Sequence, residues 1–201
     1  MSSYMRQQLE TYLNKLDVHC KSSLDIGGSS WPVWKRVKSW KVDEYRILDN
    51  CSEYELEKKS GKWQTPDYIG NLNKYYKGWQ DYQKIKDKKF DVIFCLEVFE
   101  YLYDPVQAMK NIKRFLAKNG MLIVSFPFIY PVHEPIAYDS LRYTENGIRH
   151  ILSTAGFSDW RFIYRKAKSP QMLTDVFSQE SMHAAKGFGN HDVIGFICEA
   201  K

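Results

Sequence analysis

Between Phe90 and Phe126 the chain spells out one strand–helix–strand unit, and that unit leaves few folds open. Phe90-Asp-Val-Ile-Phe-Cys-Leu96 is an apolar run of the kind found in a central strand covered on both faces. Asp104 and Pro105 then supply an N-cap and a proline at the first helical position. Val106, Met109, Ile112, Phe115 and Leu116 follow at helical spacing as a core-facing stripe. Asn119-Gly120 reads as a left-handed cap that ends this helix. Gly120-Met-Leu-Ile-Val-Ser-Phe126 is a second buried strand, stopped by Pro127. Two buried strands joined through a helix run parallel, with a right-handed crossover.

The flanking sequence extends the same alternation. Tyr4, Leu9, Tyr12, Leu13 and Leu16 predict an amphipathic helix over 4–16. Ser22–Ile26 and Tyr45–Asp49 predict two strands, with a short helix over 32–40 between them that starts on Pro32. Cys51–Thr65 is polar and short for a crossover helix, Asp67–Gly70 predicts a brief third strand, and 73–88 is irregular. Thr144-Glu145 opens a further helix that Gly156 ends, and Trp160–Tyr164 and Val193–Cys198 predict two closing strands with no long helix between them. The fold class is therefore α/β: a doubly wound, Rossmann-like sheet, mostly parallel, with an antiparallel strand at its C-terminal edge. A single domain over 1–201 is expected, with an N-terminal helix in 1–20, a core over 22–164, and a late loop and closing strand over 165–201.

Within this frame the first turn carries a ligand signal. Leu24-Asp25-Ile26-Gly27-Gly28-Ser29-Ser30 is a strand breaking into a glycine turn, where the missing Cβ lets backbone approach a ligand. Asp49 ends the next strand 24 residues after Asp25, against roughly 20 in nucleotide-binding folds, and an acid there accepts ribose hydroxyls. The turn is not G-x-G-x-x-G, which argues against a nicotinamide dehydrogenase.

Composition bounds the rest. The net charge of +5 is mild and partly confined to Lys84–Lys89, so a nucleic-acid partner is not expected. No apolar run reaches the ~18 residues of a membrane span, and Met1–Gln8 lacks a secretion signal's apolar core. Cys20, Cys51, Cys95 and Cys198 form no CxxC pair, and the histidines show no ligand spacing, so neither a disulfide framework nor a metal is expected. The expected location is a reducing, cytoplasmic compartment.

Three blocks carry a family resemblance. They are Phe90–Pro105, with Leu96-Glu-Val-Phe-Glu-Tyr101 after its strand; Pro127-Phe-Ile-Tyr-Pro-Val-His-Glu-Pro135 followed by Tyr138-Asp-Ser-Leu-Arg-Tyr-Thr144; and Pro66-Asp-Tyr-Ile-Gly-Asn-Leu-Asn73. Over 22–164 and the closing strand the chain resembles class I S-adenosylmethionine-dependent methyltransferases of the small type-11 branch, in particular members associated with glycan modification. It departs from the usual Asp-x-Gly-x-Gly-x-Gly at Ser29 and Ser30, has Tyr101 where histidine is frequent, and has Asn71 where an acid is frequent.

The resemblance implies S-adenosyl-L-methionine as cofactor and S-adenosyl-L-homocysteine as product. It implies that Asp25, Gly27, Gly28 and Ser29 wrap the methionine end, that Asp49 and Asn50 take the ribose, and that Asn71 and Leu72 line the adenine. Leu96, Glu97 and Tyr101 would face the reacting methyl. His133 is the candidate base, with Glu134 or Asp139 orienting it, because a neutral imidazole takes the proton that an attacking alcohol releases. Arg142 is expected to pair with Asp139, and Trp31, Trp34, Tyr75, Tyr76 and Trp79 are candidate stacking surfaces. The expected reaction is O-methylation of a small-molecule or glycan hydroxyl. An RNA or small-metabolite methyltransferase and a catalytically silent methyltransferase-like binding module stay open as alternatives.

Overall fold

The computed structural model describes residues 3–50, 64–134, 136–169, 173 and 192–201. Most of the polar link over 51–65 lies outside them, as do Cys51, Pro135, His183 and His191. A seven-stranded sheet organises the chain in the order β3-β2-β1-β4-β5-β7-β6. Its strands are β1 (Asp17–Ile26), β2 (Ser39–Asp49), β3 (Tyr68–Ile69), β4 (Phe90–Cys95), β5 (Leu116–Pro127), β6 (Trp160–Lys166) and β7 (Val193–Ala200). Strands β3, β2, β1, β4 and β5 pair in parallel, while β7 runs antiparallel to both β5 and β6. The antiparallel strand thus sits one place in from the edge, which β6 forms, and β6 and β7 make the expected antiparallel pair.

Four helices are described: α1 (Tyr4–Leu13), α2 (Tyr82–Ile85), α3 (Pro105–Phe115) and α4 (Glu145–Thr154). Helix α3 starts as the sequence predicts, with Asp104 Oδ1 accepting from the Gln107 amide. Helix α4 is capped by Thr144 and released at Gly156, whose φ of +88° needs glycine. Met109, Ile112 and Phe115 of α3 and Ile148 and Leu152 of α4 are fully buried with Ile93, Leu122 and Val124 on one face of the sheet. Leu9 and Leu13 of α1 pack with Phe94, Ile123 and Ile197 on the other. Each such side chain contributes about 1.5–3 kcal/mol on leaving water, so both faces need their helices.

Three local readings change. Strands β1 and β2 begin five or six residues earlier than predicted, because Asp17–Lys21 and Ser39–Glu44 pair with one another on a half-exposed margin where the apolar signal is weak. The helix expected over 32–40 shrinks to a 3-10 turn at Val33–Lys35, since β2 already claims Ser39 and Trp40. Helix α3 ends at Phe115, and Leu116 is already extended. Gly120 therefore caps no helix: it lies within β5, where an added Cβ would come 2.9–3.0 Å from the Phe90 and Asp91 carbonyls beside an irregularity in the β4–β5 pairing.

Candidate active site

In a doubly wound sheet, ligands gather beyond the carboxyl ends of the strands, where the crossovers diverge. Here that edge holds a cavity of about 670 Å³. Asp25, Ile26 and Gly27 after β1, Leu48, Asp49 and Asn50 after β2, Gly70–Lys74 after β3, and Leu96–Val98 with Tyr101 after β4 all line it. His133, Glu134, Tyr130 and Tyr138 close one end, and Ser3, the N-cap of α1, and Arg6 of α1 also line the cavity.

The glycine turn is shaped from beneath. Gly27 has φ +78°, and a Cβ on it would come 2.6 Å from Val98 Cγ2. A Cβ on Gly28 would collide with the Asp25 carboxylate. Asp25 itself, 3% exposed, accepts from the Val33 amide (2.7 Å) and the Tyr45 hydroxyl (2.7 Å). Its carboxyl therefore holds the loop together, and burial pushes its pKa up to about 6. Gly27 and Ser30 form the cavity wall at this turn; Gly28 and Ser29, expected as contacts, do not line it.

Asp49 is held ready at the mouth of the turn. Its Oδ2 accepts from the Ser29 amide (3.1 Å) and its Oδ1 from the Asn50 amide (2.8 Å), so each oxygen retains a lone pair. Burial raises its pKa against these donors. Across the cavity, Asn71 Oδ1 accepts from the Asn73 amide (2.9 Å), and Leu72 is buried against the core. Asn73, given no role in the sequence reading, ties this loop to the β4 side: its side-chain Nδ2 donates to the Tyr101 carbonyl (3.2 Å) and its Oδ1 accepts from the Tyr103 amide (2.6 Å). The run Asn71-Leu-Asn73 was its signal, since paired asparagines favour local turns.

Glu97 stands at the end of β4 with φ +56°, unusual for a residue with a side chain. The strain is held by a buried network. Ser125 Oγ accepts from the Glu97 amide (2.7 Å) and donates to Glu97 Oε1 (2.7 Å), while Arg165 Nη1 donates to the same oxygen (2.8 Å). Burial alone would raise the Glu97 pKa; the Arg165 guanidinium and Ser125 outweigh it and hold the carboxyl below its ordinary range. The partner is a fully buried arginine 68 residues further along the chain. Ser125, one polar residue inside an apolar strand, was the readable sign of this network.

At the far end His133 is clamped. Its Nδ1 lies 2.8 Å from Asp139 Oδ2, which also accepts from the His133 amide (2.8 Å). Arg142 forks onto Asp139 (2.5 and 2.8 Å) and donates to the carbonyls of Tyr130, Pro131 and Leu141. Asp139 is screened from solvent by these partners, and Arg142, with His133, holds its carboxyl well below the usual carboxylate range. Asp139, not Glu134, orients the imidazole; the Glu134 side chain turns to the Ile136 amide. With Nδ1 bound to a carboxylate, the neutral ring carries its proton there and leaves Nε2 as the acceptor. Nε2 is 3.5 Å from the Tyr101 hydroxyl, and the two rings stack at 5.9 Å.

The aromatic candidates divide. Tyr76 and Trp79 are core residues, and among the five only Trp31 lines the cavity. Tyr103, 64% exposed, and Tyr138, 40% exposed, join it at the mouth. Among the described residues no cluster of three or more potential metal ligands occurs, and no helix is long and apolar enough to cross a membrane.

Known proteins agree with this architecture. Residues 55–124 match the family model described as a methyltransferase domain. Over its near-full length the chain is similar to a SAM-dependent methyltransferase from Archaeoglobus fulgidus (15% identity, TM-score 0.61, covering 98% of this chain and 92% of that one). It is equally similar to a SAM-dependent methyltransferase from Thermotoga maritima titled a possible histamine N-methyltransferase (16%, 0.61, 98% and 90%). Among curated proteins it is 30% identical over 118 residues to the tRNA U34 carboxymethyltransferase of Nautilia profundicola, covering 53% of this chain and 38% of that protein. It is 33% identical over 73 residues to the enzyme of the same name from Campylobacter jejuni, covering 36% and 25%. The chain thus spans well under half the length of these curated relatives. The near-full-length likeness shows that the chain shares the fold of these methyltransferases, and the segment that matches the family model lies within that fold. The glycan-associated branch receives no support from these matches, and the expectation that nucleic acid is an improbable partner finds none either, because the relatives are named for tRNA.

Proposed function

We propose that this protein transfers a methyl group from S-adenosylmethionine to a hydroxyl, with His133 as the base. The observation that carries the reading is the His133–Asp139 pair at the ligand edge of the sheet, with Nε2 directed away from the carboxylate and toward the cavity residue Tyr101. The cofactor fits the chain's own residues: the cavity volume suits a nucleoside-sized ligand, Gly27 leaves the close approach open, and Asp49 keeps acceptor capacity for a ribose. Bound there, S-adenosylmethionine supplies an electrophilic sulfonium methyl. The residues then have separate tasks. Asp49 and the Asn71–Leu72 loop fix the adenosine, Glu97 and Tyr101 bound the reacting region, and His133 Nε2 takes the proton an acceptor hydroxyl releases.

For the acceptor, a sugar hydroxyl of a glycan is the first reading, and the mouth formed by Trp31, Tyr103 and Tyr138 suits the apolar face of a sugar ring. RNA is the second, favoured by the relatives named for tRNA and by Lys74 in the cavity lining. Incubation with methyl-labelled S-adenosylmethionine and matched panels of glycosides and RNAs tests both. Label on a hydroxyl supports the reaction and its carrier names the acceptor; label only on nitrogen or carbon, or none in either panel while the cofactor is bound, rejects it. An RNA acceptor should also bind with a steep salt dependence.

A further inference from the structure

Resting on the cofactor reading above, we propose that Arg6 of α1 binds the carboxylate of the cofactor's methionine half and thereby selects ligands that carry an amino acid. Helix α1 roofs the cavity at the glycine turn, where Ser3 and Arg6 share the wall with Gly27, Ser30, Trp31 and Glu97. Its position does not depend on Arg6. Gln8 exchanges two 2.8 Å hydrogen bonds with the Lys166 backbone, Tyr12 donates to Glu199 (2.7 Å), and Leu9 and Leu13 are fully buried.

Arg6 is the cation on this wall with the weakest commitment. Its guanidinium carbon lies 5.0 Å from the Trp31 ring centre, and its Nε lies 3.5 Å from Glu10 Oε1. Glu10 already gives both oxygens to Arg36, at 2.7 and 3.1 Å. Among the described residues no other carboxylate lies within 4.0 Å of Arg6. Of the other lining cations, Arg36 is held by Glu10, and Lys74 follows the Asn71–Asn73 loop and so belongs to the opposite end. The turn has also committed amides that would otherwise greet an anion: Gly27 N donates to the Leu48 carbonyl (2.9 Å) and Ser29 N to Asp49 (3.1 Å). A carboxylate entering beside Gly27 and Ser30 thus meets a guanidinium fork, the geometry that pairs with it through two parallel hydrogen bonds.

Calorimetric titration of the full chain with S-adenosylhomocysteine and with 5′-deoxy-5′-methylthioadenosine, which keeps the adenosine and thioether but lacks the amino acid, tests this. Arg6→Ala is expected to weaken S-adenosylhomocysteine binding by roughly 10- to 100-fold, the range for a charge-assisted hydrogen bond. Its affinity for methylthioadenosine should stay at the wild-type value, which also shows that the variant is folded, and Arg6→Lys should recover part of the loss. Unchanged affinity for S-adenosylhomocysteine in Arg6→Ala, or an equal loss of both ligands, overturns the assignment. A wild-type protein that binds neither ligand overturns the cofactor reading itself, and this assignment with it.

Discussion

Asp139 holds His133 at two points: one carboxylate oxygen, Oδ2, accepts from both the His133 backbone amide and its ring Nδ1, each at 2.8 Å. The imidazole is therefore fixed in position and tautomer by a single group. If His133 is the base, His133→Ala should lower turnover by roughly 10²- to 10⁴-fold. Asp139→Asn should lower it too, because an amide no longer enforces the proton on Nδ1. S-adenosylhomocysteine affinity should be preserved in both. Single-turnover kinetics with labelled cofactor separate these quantities, and an unchanged rate in His133→Ala removes it from the mechanism.

Arg142 holds Asp139 in turn. Its fork spans both carboxylate oxygens while other nitrogens gather the Tyr130, Pro131 and Leu141 carbonyls, so it closes the 130–142 loop onto itself. Lysine presents a point charge and not a planar fork. Arg142→Lys should speed amide hydrogen exchange across this loop and reduce turnover, with the melting temperature close to that of the wild type. Exchange rates equal to wild type would show that the fork does not order the loop.

Arg165 and Glu97 form a pair that is costly to break on one side. Arg165 is fully buried, 0% exposed, and also donates to the Phe126 carbonyl (2.9 Å). Arg165→Met leaves Glu97 without its cation and should cost about 3–5 kcal/mol of stability, the usual loss when one partner of a buried pair is removed. Adding Glu97→Gln removes the stranded charge and should restore much of it. Urea unfolding of the two variants decides; a double variant as unstable as the single one contradicts the pairing.

Glu100 gives the stability a pH dependence. It is 1% exposed, and its Oε2 has no hydrogen-bond partner among the described residues. Burial, and next the charge of Glu97, push its pKa up to about 8. In the unfolded chain a glutamate titrates near ~4.3, so between these values the folded state holds a proton the unfolded state has lost. Stability from this group is fully present below about pH 4.3 and falls as pH rises toward 8, by about 1.4 kcal/mol per pH unit at most. Glu100→Gln should flatten that slope in denaturation measured from pH 5 to 8. A slope identical to wild type would show that Glu100 ionises normally.

Much of this architecture was legible because strongly apolar segments admit one role. Phe90–Cys95, the α3 stripe and the Thr144 and Gly156 boundaries follow from local chemistry. What could not be read depended on partners distant in sequence. The outer halves of β1 and β2 are polar and become strands only by pairing with each other. Asn119-Gly120 carries a helix-ending signature, yet it is used inside β5 because the helix had already stopped at Phe115. At the site, His133, Asp139 and Arg142 fall within ten residues and were visible as a group. Arg165 lies 68 residues from Glu97, and Arg6 lies in an amphipathic helix whose polar face looked merely solvated. The glycine turn was recognised, but which of its residues face the cavity depended on the Asp25 carboxylate beneath Gly28, a contact the spelling does not reveal.

Whether the cavity between Gly27, Asp49 and Asn71 holds S-adenosylmethionine is decided by titrating S-adenosylhomocysteine into the wild-type chain and into Asp49→Ala. The expected result is saturable one-to-one binding to the wild type, weakened about tenfold or more when the carboxylate proposed to receive the ribose is removed. Absence of binding at millimolar ligand, or equal affinity in Asp49→Ala, would contradict it.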